Sequence, residues 1–155
     1  MTTTYEIMTE KLITIESSDY LKNAYKIMRE KGIRHLPVTA PSGKVVGLIS
    51  DRDLKLAMNK TLDFDDETYY QFNSEEIIED YMSTPVKSVS GTEPIESVAR
   101  KMLVDKVSAY LVMDKNHHVC GIVTTDDLLA YLVTMLEVDK HKDQVTIFHL
   151  LNQSY

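Results

Sequence analysis

Val45-Val46-Gly47-Leu48-Ile49-Ser50-Asp51-Arg52-Asp53-Leu54 decides the reading of this chain, because its pattern returns as Val119-Cys120-Gly121-Ile122-Val123-Thr124-Thr125-Asp126-Asp127-Leu128. Gly121 follows Gly47 by 74 residues, and at that offset Met8 falls on Met82, Met28 on Met102 and Val38 on Val112. Apolar classes also agree: Ile15 with Val89, Ile33 with Val107, Leu48 with Ile122. The register holds without a gap from residue 8 to about residue 59. Such internal repetition outranks other sequence signals and marks two copies of one unit.

Each copy reads in the same order. A short apolar stretch, 12–15 or 86–89, is a strand. A helix follows at 18–31, with Leu21, Ala24, Tyr25 and Met28 on one face, or at 92–105, with Ile95, Val98, Ala99 and Met102. Thr92 is a candidate N-cap, Pro94 suits a first helical position, and Gly32 reads as a helix stop. Strands at 34–39 and 44–50 join through Pro41-Ser42-Gly43, and those at 107–113 and 118–124 through Asp114-Lys115-Asn116-His117. The third strand of each copy runs into a helix, 51–59 or 125–138. The order β-α-β-β-α, twice, places the chain in the α/β (α+β) class. The expected divisions are repeat one at 1–60, a connector at 61–80, repeat two at 81–139 and a tail at 140–155. Val145 to Leu151 reads as a short helix packing back on the rest.

Composition narrows the function. At 155 residues, 43% hydrophobic and 26% charged, the chain is an ordinary globular protein. No apolar run approaches the ~18 residues of a membrane span, and the first residues lack a secretion leader. Cys120 is the only cysteine, which excludes an intrachain disulfide and makes a cytoplasmic protein the default. The net charge of −7 sits in 60–80, where Asp63, Asp65, Asp66, Glu67, Glu75, Glu76, Glu79 and Asp80 face Lys60 alone. No basic stripe follows a nucleic acid or a membrane surface. The acidic segment is either a solvated connector or a dock for a basic partner. Asp63 to Asn73 reads as a loop, and Ser74-Glu75-Glu76-Ile77-Ile78 as a helix start.

Ser50 and Thr124 sit where strand becomes helix, so their hydroxyls can cap it, and the first helical N–H groups can meet an anion. Asp53 and Asp127 follow three residues later. A carboxylate there can hold both hydroxyls of a ribose, or complete a capping box; the two roles are compatible.

The repeated Gly-apolar-apolar-Ser/Thr-x-x-Asp, with Met28 to Val38 and Val107 to Val112 before it, resembles the CBS domain (cystathionine β-synthase type). Two copies in pseudo-two-fold array form a Bateman module, and the resemblance covers about 6–138, leaving no room for a fused catalytic domain. It implies two clefts between the copies for an adenine nucleotide or other adenosyl ligand, AMP, ADP or ATP first. One cleft pairs Val107, Ser108 and Ala109 with Leu48, Ser50, Arg52 and Asp53, with Arg34 and His35 facing its phosphates. The other pairs Ile33, Arg34 and His35 with Ile122, Thr124, Asp126 and Asp127. Arginine suits phosphate in the first. Adjacent carboxylates oppose it in the second, which is expected to stay empty or take a nucleoside of little negative charge.

The chain carries no nucleophile elbow, glycine-rich phosphate loop or metal motif, so the expectation is no enzyme and no metal. The first reading is a regulatory sensor that signals to a partner protein; the alternative is a dimeric scaffold that binds no nucleotide. The resemblance implies a homodimer through helices 18–31, 51–59, 92–105 and 125–138. His117 and His118 read as exposed turn residues, Cys120 as buried and inert, and Met28, Met58, Met102 and Met135 as core. Tyr69-Tyr70 either covers a cleft or packs locally.

Overall fold

The computed structural model describes residues 1–58 and 75–152, with side chains described as far as Lys140. The connector loop, Tyr69-Tyr70 and Ser74 lie outside the described residues.

The order of elements repeats in three dimensions. After a four-residue helix α1 (Thr4–Ile7), the first copy runs β1 (Ile15–Glu16), α2 (Leu21–Lys31), β2 (His35–Thr39), β3 (Val45–Ser50), α3 (Asp51–Met58). The second runs β4 (Ser88–Ser90), α4 (Ile95–Asp105), β5 (Ala109–Met113), β6 (Val119–Thr124), α5 (Thr125–Asn152). Each sheet has a parallel pair, β1-β2 or β4-β5, and an antiparallel pair, β2-β3 or β5-β6. Even the register shift recurs, between Val38 and Thr39 and between Val112 and Met113.

Several boundaries move. The first strands begin later than expected, at Ile15 and Ser88, and the helices begin at Leu21 and Ile95, with Tyr20 and Pro94 as N-caps. Pro94 therefore precedes the helix, and Thr92 is occupied with Ser90 rather than capping. The expected helix start at 74–78 is a 3-10 turn, Ile78–Asp80, because Ile77 is held extended by pairing with Tyr20. The C-terminal stretch is no separate helix: α5 runs unbroken for 28 residues. Met135 is 38% exposed on it, so it is surface rather than core, whereas Met28, Met58 and Met102 are buried.

Alternation along the central strands explains the layers. Leu36 and Val38 turn to α2 and α3, joining Leu21, Ala24, Met28 and Leu54 in one core. Tyr110 and Val112 do the same with Val98 and Met102. The opposite faces meet each other: Ala109, Leu111 and Ile122 pack with Leu12, Val45 and Leu48 of the first copy. Both faces of each sheet are thus covered, one by helices and one by the sister copy.

The copies also trade their lead-in segments. Residues 2–9 precede the first copy but lie on the second: Thr4 N–H donates to Glu93 O, Tyr5 N–H to Gly91 O, and Thr9 pairs with Ile122. Residues 76–83 precede the second copy but lie on the first, where Ile78 N–H donates to Asp19 O and Ser83 pairs with Leu48. This crossing explains the repeated glycine. A Cβ at Gly47 would collide with Met82 Sδ, and one at Gly121 would stand 2.9 Å from the Thr9 carbonyl oxygen. The matched Met8 and Met82 are the side chains laid over the sister copy's glycine.

Candidate functional site

Both strand-to-helix turns carry a reciprocal cap. Ser50 N–H and Oγ–H each donate to Asp53 Oδ2 at 2.8 Å, and Asp53 N–H donates back to Ser50 Oγ at 3.2 Å. Thr124 N–H and Oγ1–H donate to Asp127 Oδ2 at 2.7 and 3.0 Å, and Asp127 N–H returns to Thr124 Oγ1 at 3.3 Å. These are capping boxes at the first turns of α3 and α5. Only one oxygen of each carboxylate is used. Oδ1 of Asp53 and of Asp127 accepts no bond among the described residues.

A cleft of about 200 Å³ opens at the second turn. Ile33, Arg34 and His35 form one wall, and Ile122, Thr124, Asp126 and Asp127 another, so the structure brings together all seven residues assigned to that cleft. Thr9, Lys11, Leu12 and Ile13 also line it. Sequence reasoning missed these, because it took 12–15 as a strand within the first copy's own sheet. The pairing of Met8 with Met82 in the repeat was the available signal.

The turn opposite gathers less closely. Leu48 and Ala109 share the apolar layer between the copies, and Val107 packs against the second core. Arg52 is exposed, with no partner among the described residues. Arg34 does not join it: its guanidinium grips Asp126 through Nη2–Oδ1 at 2.5 Å and Nε–Oδ2 at 3.2 Å. Arg34 is thus paired within the second cleft, and the acidic pair there is half neutralised. The reason is reach: Arg34 leads into β2 beside the start of α5, so its fork finds the Asp126 carboxylate at the solvent-exposed mouth of the cleft.

His35 is buried, with Nε2 2.7 Å from Ser108 Oγ, a bridge between the two copies. The Ser108 hydroxyl thus ties the second copy to the first. Burial pushes the His35 pKa below its ordinary 6.5, and Arg34 pushes the same way; Asp51, Asp126 and Asp53 oppose them. The ring is neutral at pH 7. As pH falls below about 6.5 the unfolded chain takes up this proton before the folded one does. Stability attributable to His35 is therefore intact above that pH and declines below it. His35→Gln should flatten the slope of unfolding free energy between pH 7 and 5; an unchanged slope would show that the ring is not the group responsible.

The remaining polar residues are ordinary. His118 is exposed in its turn. Cys120 is half-buried, not fully, with its thiol directed at Val112 O and its pKa raised by burial. Among the described residues there is no cluster of metal-ligating side chains, and no helix is long and apolar enough to cross a membrane.

Comparison with known proteins agrees with this geometry. The CBS domain family matches at residues 5–60 and again at 78–134. A homoserine O-acetyltransferase of Methanohalobium evestigatum is 34% identical over 79% of the chain, but the chain spans only 22% of that enzyme's length. A CBS domain-containing protein of Dictyostelium discoideum is 31% identical over 85% of the chain and 92% of its own length. Among solved structures, a CBS domain pair in complex with 5′-methylthioadenosine and S-adenosyl-L-methionine superposes with a TM-score of 0.72, at 28% identity, covering 87% of this chain and 98% of that one. CBSX2 in complex with AMP superposes with a TM-score of 0.68 at 25% identity, covering 87% and 98%. The two turns, the cleft between the copies and the family match over both repeats make this chain a member of the CBS domain family, with its two copies arranged as a Bateman module.

Proposed function

We propose that the chain is a regulatory module that binds an adenosyl ligand between its copies and passes the change to a partner protein. One observation carries this: Asp127 stands in the cleft with Oδ1 unshared, where a ribose diol needs an acceptor. The ligands of the two superposed pairs, AMP, 5′-methylthioadenosine and S-adenosylmethionine, support it. At the first turn Asp53 offers the same acceptor, and Arg52 the cation for the phosphates of AMP, ADP or ATP. Arg34, His35, Leu48, Ser50, Val107, Ser108 and Ala109 complete that reading, with His35 and Ser108 setting the distance between the copies.

The module is proposed to act as a homodimer. Leu103 and Val104 on α4, and Leu129, Leu132, Val133 and Leu136 on α5, are each more than half exposed. Spacing of three and four residues puts the α5 set on one stripe. Among the described helix residues of the first copy only Leu56 of α3 is comparably bare, so the second copy's helices supply most of the proposed contact.

A thermal-shift panel of AMP, ADP, ATP, GTP, S-adenosylmethionine and cyclic di-AMP tests the binding. Ligand at 100 times Kd stabilises by about 2.7 kcal/mol, a shift of several degrees. The expected result is a dose-dependent rise with an adenosyl ligand, lost in Asp53→Ala/Asp127→Ala while the circular dichroism persists. No shift with any of them favours the dimeric scaffold, and light scattering on the same sample reads whether it is a dimer.

A further inference from the structure

The helices of the two copies match position for position at the 74-residue offset, but their outer faces do not. Leu103, Val104 and Leu129 stand where the first copy has Arg29, Glu30 and Lys55, and all six are exposed. On α2 the exposed charge is basic: Lys22, Lys26, Arg29 and Lys31 stand beside Glu30 alone. In the second copy α4 packs beside α5. From Leu132 to Lys140 every α5 side chain is exposed, so this stretch stands clear of its own copy. It nevertheless carries Leu132, Val133, Met135, Leu136 and Val138. A helix so apolar is one that another surface covers. We infer that the cover is the same α4–α5 pair of a second chain: two chains join second copy to second copy, and the α2–α3 faces of the first copies stay in water. This rests on the homodimer reading above and narrows it, since the family resemblance implies contact through the helices of both copies.

Charge decides between the three ways in which two such chains could meet. First copy on first copy brings two basic α2 faces together, and like charges across an interface repel. First copy on second presses Leu129, Leu132 and Val133 toward Arg29 and Lys55. Those cations would lose water, and α5 offers them only Glu137 and Asp139, past the apolar stripe. Second copy on second copy sets carbon against carbon and leaves the first copies' charges solvated. An interface core depleted of charge is the usual composition of a stable contact. The contact is also self-complementary, as two-fold symmetry requires.

The test is sedimentation of the full chain over a concentration series. Leu132→Glu is expected to weaken the dimer at least ~100-fold, and Leu56→Glu less than ~3-fold. Both residues are more than half exposed, so both variants should keep the wild-type circular dichroism. A second measurement leaves the stripe untouched. Spin labels are placed at Lys22→Cys or at its repeat match Glu96→Cys, each in a Cys120→Ser chain. Across the dimer, the labels at position 96 should lie closer together than those at position 22. Equal distances, or a shorter one at position 22, overturn the inference. So does a dimer indifferent to Leu132→Glu, or one weakened as much by Leu56→Glu. In those cases the homodimer stands and this inference alone falls. A wild-type chain that stays monomeric at every concentration overturns the homodimer reading as well, and another protein then covers the stripe. Adenosyl binding is read separately by the thermal-shift panel.

Discussion

Removal of residues 1–9 is expected to unfold the second copy before the first, although the deletion lies at the first copy's own end. Thr4 is fully buried against the second copy, and its hydroxyl donates to Glu93 O at 2.7 Å. Thr4, Tyr5 and Thr9 donate backbone hydrogen bonds to that copy, and Ile95 and Ile122 donate to residues 2 and 9 in return. Ile7 and Met8 pack on its core, and the Tyr5 ring covers Gly91. Five backbone bonds at about 1 kcal/mol each, plus partial burial of two apolar side chains, come to roughly 5 kcal/mol or more. That is a large part of the ~5–15 kcal/mol that holds a domain folded. Hydrogen exchange reads the result: protection in β5 and β6 should be lost while β2 and β3 keep theirs. Uniform loss across both copies, or none, would contradict the crossed arrangement.

Leu111→Ala carries the second largest effect. Leu111 is 2% exposed and sits where the two sheets meet, with Ala109, Ile122, Leu48 and Val45 around it. Truncation of a buried leucine costs about 2–5 kcal/mol, through lost transfer energy and the cavity left behind. Its neighbours Leu12 and Ile122 line the second cleft, so adenosyl affinity should fall together with stability. Leu129→Ala, at a residue 58% exposed on α5, serves as the contrast and should cost within about 0.5 kcal/mol in the isolated copy. Urea unfolding compares the two variants; equal midpoints would place Leu111 outside the packed layer.

Much of this fold was legible because the chain is written twice. The order of elements, the sheet-to-helix turns and the Gly32 stop all follow from short-range pattern, and Gly32 does adopt the left-handed conformation, at φ 63°. Its counterpart Lys106 does the same at φ 56°, and no propensity argument would have chosen a lysine for it. The caps at Ser50–Asp53 and Thr124–Asp127 were readable for the same local reason. Illegible were the contacts that depend on which copy a segment lies against. Leu12 and Ile13 have the apolar character of a strand, but the crossed lead-in turns them into cleft wall. Arg34 looks free in the sequence, and only the closeness of β2 to α5 reveals its partner.

The exchange of lead-in segments also bears on how the chain is made. The contact between Thr4 and Glu93 spans 89 residues. At about 5–20 residues per second, the first segment leaves the ribosome several seconds before its docking surface has been synthesised. The first copy waits in the same way, because residues 76–83, which close its edge, come only at the end of the acidic connector. The first copy cannot close before residue 83 is made, and the second leaves the N-terminal segment undocked until residue 122 is made. Pairs of such long sequence separation delay folding until late, when the entropy of closing the loop can be repaid by both copies at once. The reciprocal exchange therefore makes the completion of each repeat wait on a segment that lies far from it in the order of synthesis.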